Sequence, residues 1–364
     1  MDRNTLQELA VNRLASEKRL LCQWATGTGK SNVALKFLRA NPETTCLILV
    51  PEQNNIENWT TEFTKFGVPM ELVRVACYAS LHKYADTQWG LIVLDEVPHI
   101  DTDLKKALCQ RIQGEYVLAL GAVVDEDELA TLEEVYGKFS KSYVSLQKAI
   151  EWEILPSPTV FILHMQLDNT YRKYWYKGRP YTAKQMYSIY SDEVSSYADS
   201  YAAKPNPRVK QMMYQAGNKR KRFLGKLKDD AIAYVCRRLE KKGRRFICFC
   251  SSIKQAEALG GDKAFTSKSP MSMQHLSKFN NHEINSLYVV GKLIEGQNLV
   301  DIDCGVIGQI GGTSRITVQE IGRVMRSENP RIYIPVFDDT KDDSFLYTLT
   351  SNIPERYIKH YNFK

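Results

Sequence analysis

The chain has 364 residues, with 49 Lys+Arg against 42 Asp+Glu and a net charge of +7. A composition of 43% hydrophobic and 25% charged residues excludes disordered and collagen-like chains, and the length suits about two domains. No apolar run reaches the ~18 residues of a membrane helix and the start lacks a signal-peptide core, so we expect a soluble cytoplasmic protein with no membrane partner.

Short apolar runs alternate with helical stretches, the pattern of parallel α/β sheets. Strands are predicted at Leu20–Gln23, Cys46–Val50, Leu91–Leu94 and Tyr116–Leu120. A second series is predicted at Phe246–Cys250, Leu287–Val290, Gly305–Ile310 and Ile332–Val336. Their near-continuous apolar character suits strands covered by helices on both faces. Between the series, from Leu155 to Gln215, the chain turns rich in Tyr, Ser and Lys, with prolines at 156, 158, 180, 205 and 207. Only Tyr181–Tyr201 looks helical there. The expected division is residues 1–152, a linker with a Tyr/Lys-rich helical insertion over 153–220, and residues 221–364.

The eight cysteines are scattered, and the closest pair, Cys248 and Cys250, shares one strand. Without a C-x-x-C pair we expect buried free thiols rather than zinc ligands. Charge is uneven. From Lys204 to Arg245 there are 15 Lys/Arg and 3 Asp/Glu, a local +12 that leaves −5 for the remainder. A concentrated basic segment suggests a polyanionic partner, against the plainer account of a solvated helix face.

The strongest motif is Ala25-Thr26-Gly27-Thr28-Gly29-Lys30-Ser31, placed between a predicted strand and an amphipathic helix. Glycines let such a loop turn its amides around the phosphates of ATP. The lysine reaches the β/γ-phosphates and the serine hydroxyl can hold Mg²⁺. Trp24 replaces the first glycine of the general phosphate-loop pattern, leaving the A-x-x-G-x-G-K-S/T form. Further on, Leu91-Ile92-Val93-Leu94 runs into Asp95-Glu96-Val97-Pro98-His99. Two carboxylates at the end of a central strand lie where open α/β sheets bind ligands. Asp95 can hold Mg²⁺ through water and Glu96 can deprotonate the attacking water.

With these motifs in order, the chain resembles superfamily 2 DEAD/DEAH-like helicases of the DNA repair and restriction type, and its compact length suggests a minimal motor of the kind found in phages. D-E-V-P-H is similar to their D-E-x-x-H box. The resemblance implies two tandem RecA-like domains and further roles. Arg3 and Gln7 sit where the family reads adenine. Val50-Pro51 with Asn58-Trp59 resembles motif Ia, and Tyr78-Ala79-Ser80-Leu81 the next strand-contact motif, so Pro51, Asn58 and Ser80 would meet nucleic acid. Phe249-Cys250-Ser251-Ser252 resembles motif IV and Ser267-Lys268 the segment after it, adding Ser252, Ser267 and Lys268. Glu295-Gly296-Gln297-Asn298 resembles motif V, with Gly296 and Asn298 toward the nucleotide.

Gln319-Glu320-Ile321-Gly322-Arg323-Val324-Met325-Arg326 is similar to motif VI, Q-x-x-G-R-x-x-R. On the resemblance, Gln319, Arg323 and Arg326 would act at the γ-phosphate of ATP held by the first domain, with roughly 10³–10⁵ in rate from such arginines. Its glutamine favours DNA over RNA, and both halves of the site on one chain imply a monomer. Motif III departs from the family: Leu120-Gly121-Ala122-Val123 has no hydroxyl. An RNA helicase or RNA-dependent ATPase stays as an alternative, and the altered motif III supports a second one, a nucleic-acid clamp or recruitment module that hydrolyses ATP weakly without unwinding.

Lys219, Arg220, Lys221 and Arg222 are the candidate phosphate contacts of the basic segment. The aromatics Tyr171, Tyr174, Trp175, Tyr176, Tyr181, Tyr187 and Tyr190 could stack on bases. Packing of a small helical unit is the plainer account and the one we adopt for them. Histidines other than His99 form no cluster in the sequence and receive no role.

Overall fold

The computed structural model describes residues 1–97, 100, 102–266, 271–290, 299, 301–310, 322, 324–325, 327–350 and 353–363. The chain divides into two compact units, one of Met1–Ser157 and one of Pro158–Ile294 with Val300–Lys364. Each is built on its own parallel sheet with helices, the tandem RecA-like arrangement.

The first unit has strands β1 (Arg19–Trp24), β2 (Cys46–Val50), β3 (Val73–Cys77), β4 (Thr87–Asp95), β5 (Ile112–Gly121) and β6 (Ser140–Val144). Their order in the sheet is β3-β2-β4-β5-β1-β6, every pair parallel. Helices α1 (Arg3–Glu17), α2 (Ser31–Ala40), α3 (Gln53–Phe66), α4 (Asp103–Gln110), α5 (Glu126–Tyr136) and α6 (Leu146–Glu151) connect them. Local chemistry sets several ends. Asp125 and Glu128 form a capping box on α5, and Gly67 takes φ +62° to stop α3. One core cluster brings Leu47, Leu49, Ile92, Leu94, Val117 and Ala119 of the central strands together.

The second unit orders β11-β12-β10-β13-β14-β7-β15, again all parallel. Its elements are β7 (Thr159–Met165), β8 (Tyr174–Tyr176), β9 (Arg179–Tyr181), α7 (Ala183–Ala203), α8 (Pro207–Leu227), α9 (Asp229–Lys241), β10 (Phe246–Cys250), α10 (Ile253–Gly260), β11 (Ala264–Phe265), α11 (Ser272–Asn280), β12 (Ser286–Val290), β13 (Cys304–Ile307), β14 (Arg331–Phe337), α12 (Lys341–Thr350) and β15 (Ile358–Asn362). β7 lies within the stretch read as linker, yet it pairs with β14 along seven positions, from Arg331↔Thr159 to Phe337↔Met165. That stretch also holds a two-stranded hairpin, β8-β9, the 21-residue helix α7 and most of the 21-residue helix α8, which runs on to Leu227. Thr182 with Gln185 caps α7, and Asn206 before Pro207 opens α8.

All eight cysteines are free thiols, seven of them buried. Burial pushes the Cys22 thiol up to about 12 and the Cys109 thiol up to about 11. Among the described residues, no helix is long and apolar enough to cross a membrane.

Candidate active site

Because every strand of the first sheet runs the same way, the segments after β1, β2, β3, β4 and β5 emerge at one edge. Ala25–Ser31, Pro51, Ser80, Asp95 and Glu96 all belong to those segments. One strand separates the phosphate loop from the acidic pair. In register, Leu120 of β5 is opposite both Cys22 of β1 and Asp95 of β4, so the loop and the carboxylates start within about two residues of the same level. The hydroxyl-free Leu120–Val123 segment therefore leaves the sheet between them. At Gly121 a Cβ would lie 2.7 Å from Val124 Cγ2, so a larger residue would force that side chain to shift.

The loop's shape rests on two glycines at φ +87° and +84°, Gly27 and Gly29. Buried Thr28 donates its hydroxyl to the Ala25 carbonyl at 2.7 Å. Trp24 is fully buried and its indole donates to Ser142 Oγ at 2.9 Å, so the residue replacing a glycine serves as a core anchor below the loop. Lys30 Nζ donates to the Trp24 carbonyl at 3.1 Å, which holds the ammonium over the loop. No side chain caps α2 at Lys30, and although the Asn32 and Val33 amides donate to the Gly29 and Lys30 carbonyls at 3.1 Å each, the positive end of the helix dipole faces the loop.

The two residues assigned to adenine reading lie on α1 beside this loop. Gln7, 3% exposed, donates to the Gly29 carbonyl at 3.1 Å, and a Cβ on Gly29 would lie 2.5 Å from its amide nitrogen. Arg3 donates to the Ile154 carbonyl at 2.7 Å. Both therefore brace the loop and the end of the unit.

Asp95 closes β4, and Glu96 beyond it has φ +52°, a left-handed conformation uncommon for a residue with a Cβ. Two residues hold the turn. Trp59 of α3 donates its indole N–H to Asp95 Oδ2 at 2.9 Å, and buried Tyr78 donates its hydroxyl to the Asp95 carbonyl at 3.0 Å. Burial, with the Asp95 and Glu96 charges beside it, pushes the Tyr78 phenol far above its usual range. Tyr78 is thus a constant donor. The sequence places Trp59 and Tyr78 in strand-contact motifs but does not join them to Asp95.

The donor set suits Mg²⁺. The described residues contain no group of three His, Cys, Asp or Glu fit for a metal ion, whereas Ser31 and Asp95 supply hard oxygens at one sheet edge. Mg²⁺ is ordinarily held by one or two such protein oxygens together with substrate phosphates. Ser31 and Asp95 would hold it, and it would neutralise phosphate charge. Trp59→Phe keeps the ring but removes the donor to Asp95. The Mg²⁺ concentration for half-maximal ATP turnover is expected to rise about 10- to 100-fold. An unchanged Mg²⁺ dependence would reduce the Trp59 bond to packing.

A family model described as DEAD/DEAH box helicase matches residues 4–100, which hold the loop, Asp95 and Glu96. That match covers 97 of the 364 residues, all within the first unit. The chain is 28% identical over 136 residues to the "DNA 3'-5' translocase XPB2" of Sulfurisphaera tokodaii, covering 34% of the chain. The match spans 31% of that relative's length. Among solved structures, the Hef helicase domain of Pyrococcus furiosus aligns over 94% of the chain and 97% of its own, with TM-score 0.57 and 14% identity. The type ISP restriction-modification enzyme LlaBIII, bound to DNA, aligns over 100% of the chain and 31% of its own, with TM-score 0.59 and 13% identity. These two likenesses concern the fold.

Several sequence-assigned residues lie outside the described ones: Pro98, His99, Ser267, Lys268, Gly296, Asn298, Gln319, Arg323 and Arg326. In the second unit Ser252 caps α10, its hydroxyl accepting from the Gln255 amide at 3.2 Å. Lys219 pairs with Glu193 at 3.1 Å and lies 4.6 Å from the Tyr190 ring, while Arg220 donates to Ser191 Oγ at 3.5 Å. These two tie α8 to α7. Arg222 and Lys226 are exposed, and Lys221 is half-buried. Two histidines distant in sequence meet in the fold. His164 Nδ1 meets Asp338 Oδ1 at 2.5 Å and His164 Nε2 meets His360 Nδ1 at 2.8 Å, because β7 lies beside both β14 and β15.

Proposed function

We propose that this chain is an ATP-driven motor on nucleic acid, acting on DNA in preference to RNA and working as a monomer. The observation that carries the reading is the sheet order. It brings the Gly27–Ser31 loop, with Lys30 over it, to the same edge as Asp95 and Glu96, one strand apart. In this reading the loop and the α2 N-terminus bind the phosphates, and Lys30 offsets their charge. Ser31 and Asp95 hold Mg²⁺, and Glu96 takes the proton of the attacking water. Gln319, Arg323 and Arg326 are assigned to the γ-phosphate, where arginines stabilise charge in the transition state.

Support for DNA comes from the similar DNA 3'-5' translocase of Sulfurisphaera tokodaii and from the glutamine that opens the motif VI resemblance. The test is ATP turnover with single-stranded DNA, duplex DNA and RNA. Stimulation by DNA is expected, and stimulation by RNA alone would overturn the preference. A second reading is favoured by one observation: the segment between loop and carboxylates, Leu120–Val123, has no hydroxyl to relay a change between them. ATP turnover without strand displacement or translocation would make the chain a nucleic-acid clamp.

Exposed Arg222 and Lys226 on α8 provide a separate check of polyanion binding. Reversing both to Glu is expected to weaken DNA binding. The slope of log affinity against log salt should fall by roughly 0.7–0.9 for each phosphate that is no longer neutralised. An unchanged slope would assign the two residues to a solvated helix face.

A further inference from the structure

The β8–β9 hairpin divides its aromatics by face. Its register is Tyr174↔Tyr181, Trp175↔Pro180 and Tyr176↔Arg179, closed by Lys177 and Gly178 at φ +47° and +75°. Two consecutive positive φ values make the tight turn whose twist matches paired strands, so the hairpin is locally well specified. Side chains alternate across a strand. Tyr174 and Tyr176 face α8, where Tyr174 meets Phe223 edge-on at 5.1 Å and Lys219 lies 5.7 Å from the Tyr176 ring. Tyr190 of α7 closes on the same Phe223 at 5.3 Å. Trp175 must then point the other way, and it is 73% exposed.

Leaving a tryptophan in water forfeits the burial of one of the largest apolar surfaces a side chain offers. Tyr171, close by in the chain, is 65% exposed. Along this segment the exposed charges have one sign, with no acidic residue between Asp168 and Asp192. Lys173 lies 5.8 Å from the Tyr171 ring and Arg172 is next to it in the chain, whereas Lys177 lies 5.3 Å from the Tyr176 ring and Arg179, paired with Tyr176, shares that other face. Asp168 itself is turned onto the backbone, accepting from the Thr170 amide at 2.8 Å and the Tyr171 amide at 3.3 Å, which holds its carboxyl below the usual range. The segment therefore offers exposed flat aromatic surface with the cations Arg172 and Lys173 beside Tyr171. A nucleic-acid strand presents the complement, flat bases on a chain of phosphates.

We propose that Trp175, with exposed Tyr171 four residues before it, stacks an unpaired base of a nucleic-acid strand whose phosphates are gripped by Arg172 and Lys173. This rests on the reading of the chain as a nucleic-acid motor and adds to it a stacking platform for the strand. Tyr174 and Tyr176 hold the hairpin backbone against α8, which lowers the ordering cost of binding.

The experiment uses the full chain and two fluorescein-labelled probes of equal length, a mixed-sequence single-stranded DNA and the same backbone made abasic. Trp175→Ala is expected to weaken binding of the first about 5- to 150-fold and to leave binding of the second unchanged. Trp175→Phe should retain most of the affinity, because a smaller ring still stacks. An exposed residue carries little of the fold, so the melting temperatures of all three proteins should agree. Equal affinity of wild type and Trp175→Ala for the base-bearing strand overturns the proposal and leaves the motor reading intact. Failure of the wild type to bind either strand overturns both. Equal losses on both probes would make Trp175 a backbone-binding residue and overturn stacking. Trp175-dependent binding to phosphatidylserine vesicles without base dependence would give the face to a membrane. Loss of a dimer in Trp175→Ala would give it to a second copy.

Discussion

Lys30→Ala is expected to lower ATP turnover by at least ~10²–10³-fold, because it deletes the one side-chain cation that the phosphate loop carries at its own helix start. Geometry makes the lysine hard to replace. Gly29 before it is fixed at φ +84° against Gln7, and the helix begins at Ser31 after it, so the stem leaves the backbone in a set direction. Its ammonium reaches the carbonyl of Trp24, the last residue of β1, whose own indole is fixed in the core. Glu96→Gln should cost about 10²–10⁴-fold through loss of the base, yet leave ATP bound. A fluorescent ATP analogue and phosphate release separate the two. Lys30→Ala should lose both signals, Glu96→Gln only the second. Substantial turnover in either variant would remove it from the site.

Strands were legible where burial is two-sided. Cys46–Val50 and Phe246–Cys250 read as unbroken apolar runs and form strands with those same bounds, each buried at all five positions. Edge strands were not. Ser140–Val144 and Ile358–Asn362 are largely polar and half-exposed, so no local pattern separates them from loop. β7 follows a proline pair and belongs to a sheet whose other strands come much later in the chain. Nothing local announces its pairing with β14. The phosphate loop was legible because its geometry is made by neighbours in sequence. The Trp59–Asp95 bond was not, since 36 residues separate its partners.

Charge was the least legible quantity, because a count does not distinguish a solvated cation from a structural one. Arg245, at the end of the +12 segment, is 7% exposed. It donates to the carbonyls of Asp301, Ile284 and Phe279 at 3.0, 3.2 and 2.7 Å, while its guanidinium lies 4.0 Å from the Phe279 ring. Burial lowers its pKa, the cost of holding a cation in place to satisfy three backbone groups. Lys219 and Arg220 serve the packing of α8 on α7. The segment's contribution to a polyanion surface is therefore smaller than its sum, and the exposed cations of the β8–β9 hairpin lie outside it in sequence.

Lys228→Met is expected to destabilise the second unit by about 3–5 kcal/mol, a large part of the roughly 5–15 kcal/mol that holds a domain. Lys228 and Asp342 are fully buried and 2.7 Å apart, joining the start of α9 to the start of α12. The Phe337 amide donates to the same Asp342 oxygen at 3.1 Å and Gln309 Nε2 to the other at 3.4 Å. Methionine fills the lysine's volume without a charge, so the carboxylate would keep two neutral donors and lose its counter-ion. At about 2–4 °C per kcal/mol for a unit of this size, the melting temperature should fall by roughly 6–20 °C. Asp342→Leu should cost a similar amount by stranding the ammonium. Combining the two substitutions removes both charges, and a large part of the single losses should be recovered. If the double variant loses the sum of the two, the pair's worth lies in its shape and backbone bonds rather than in charge compensation. Recovery would identify Lys228 as a cation kept for the fold, within a segment whose composition points to a polyanion.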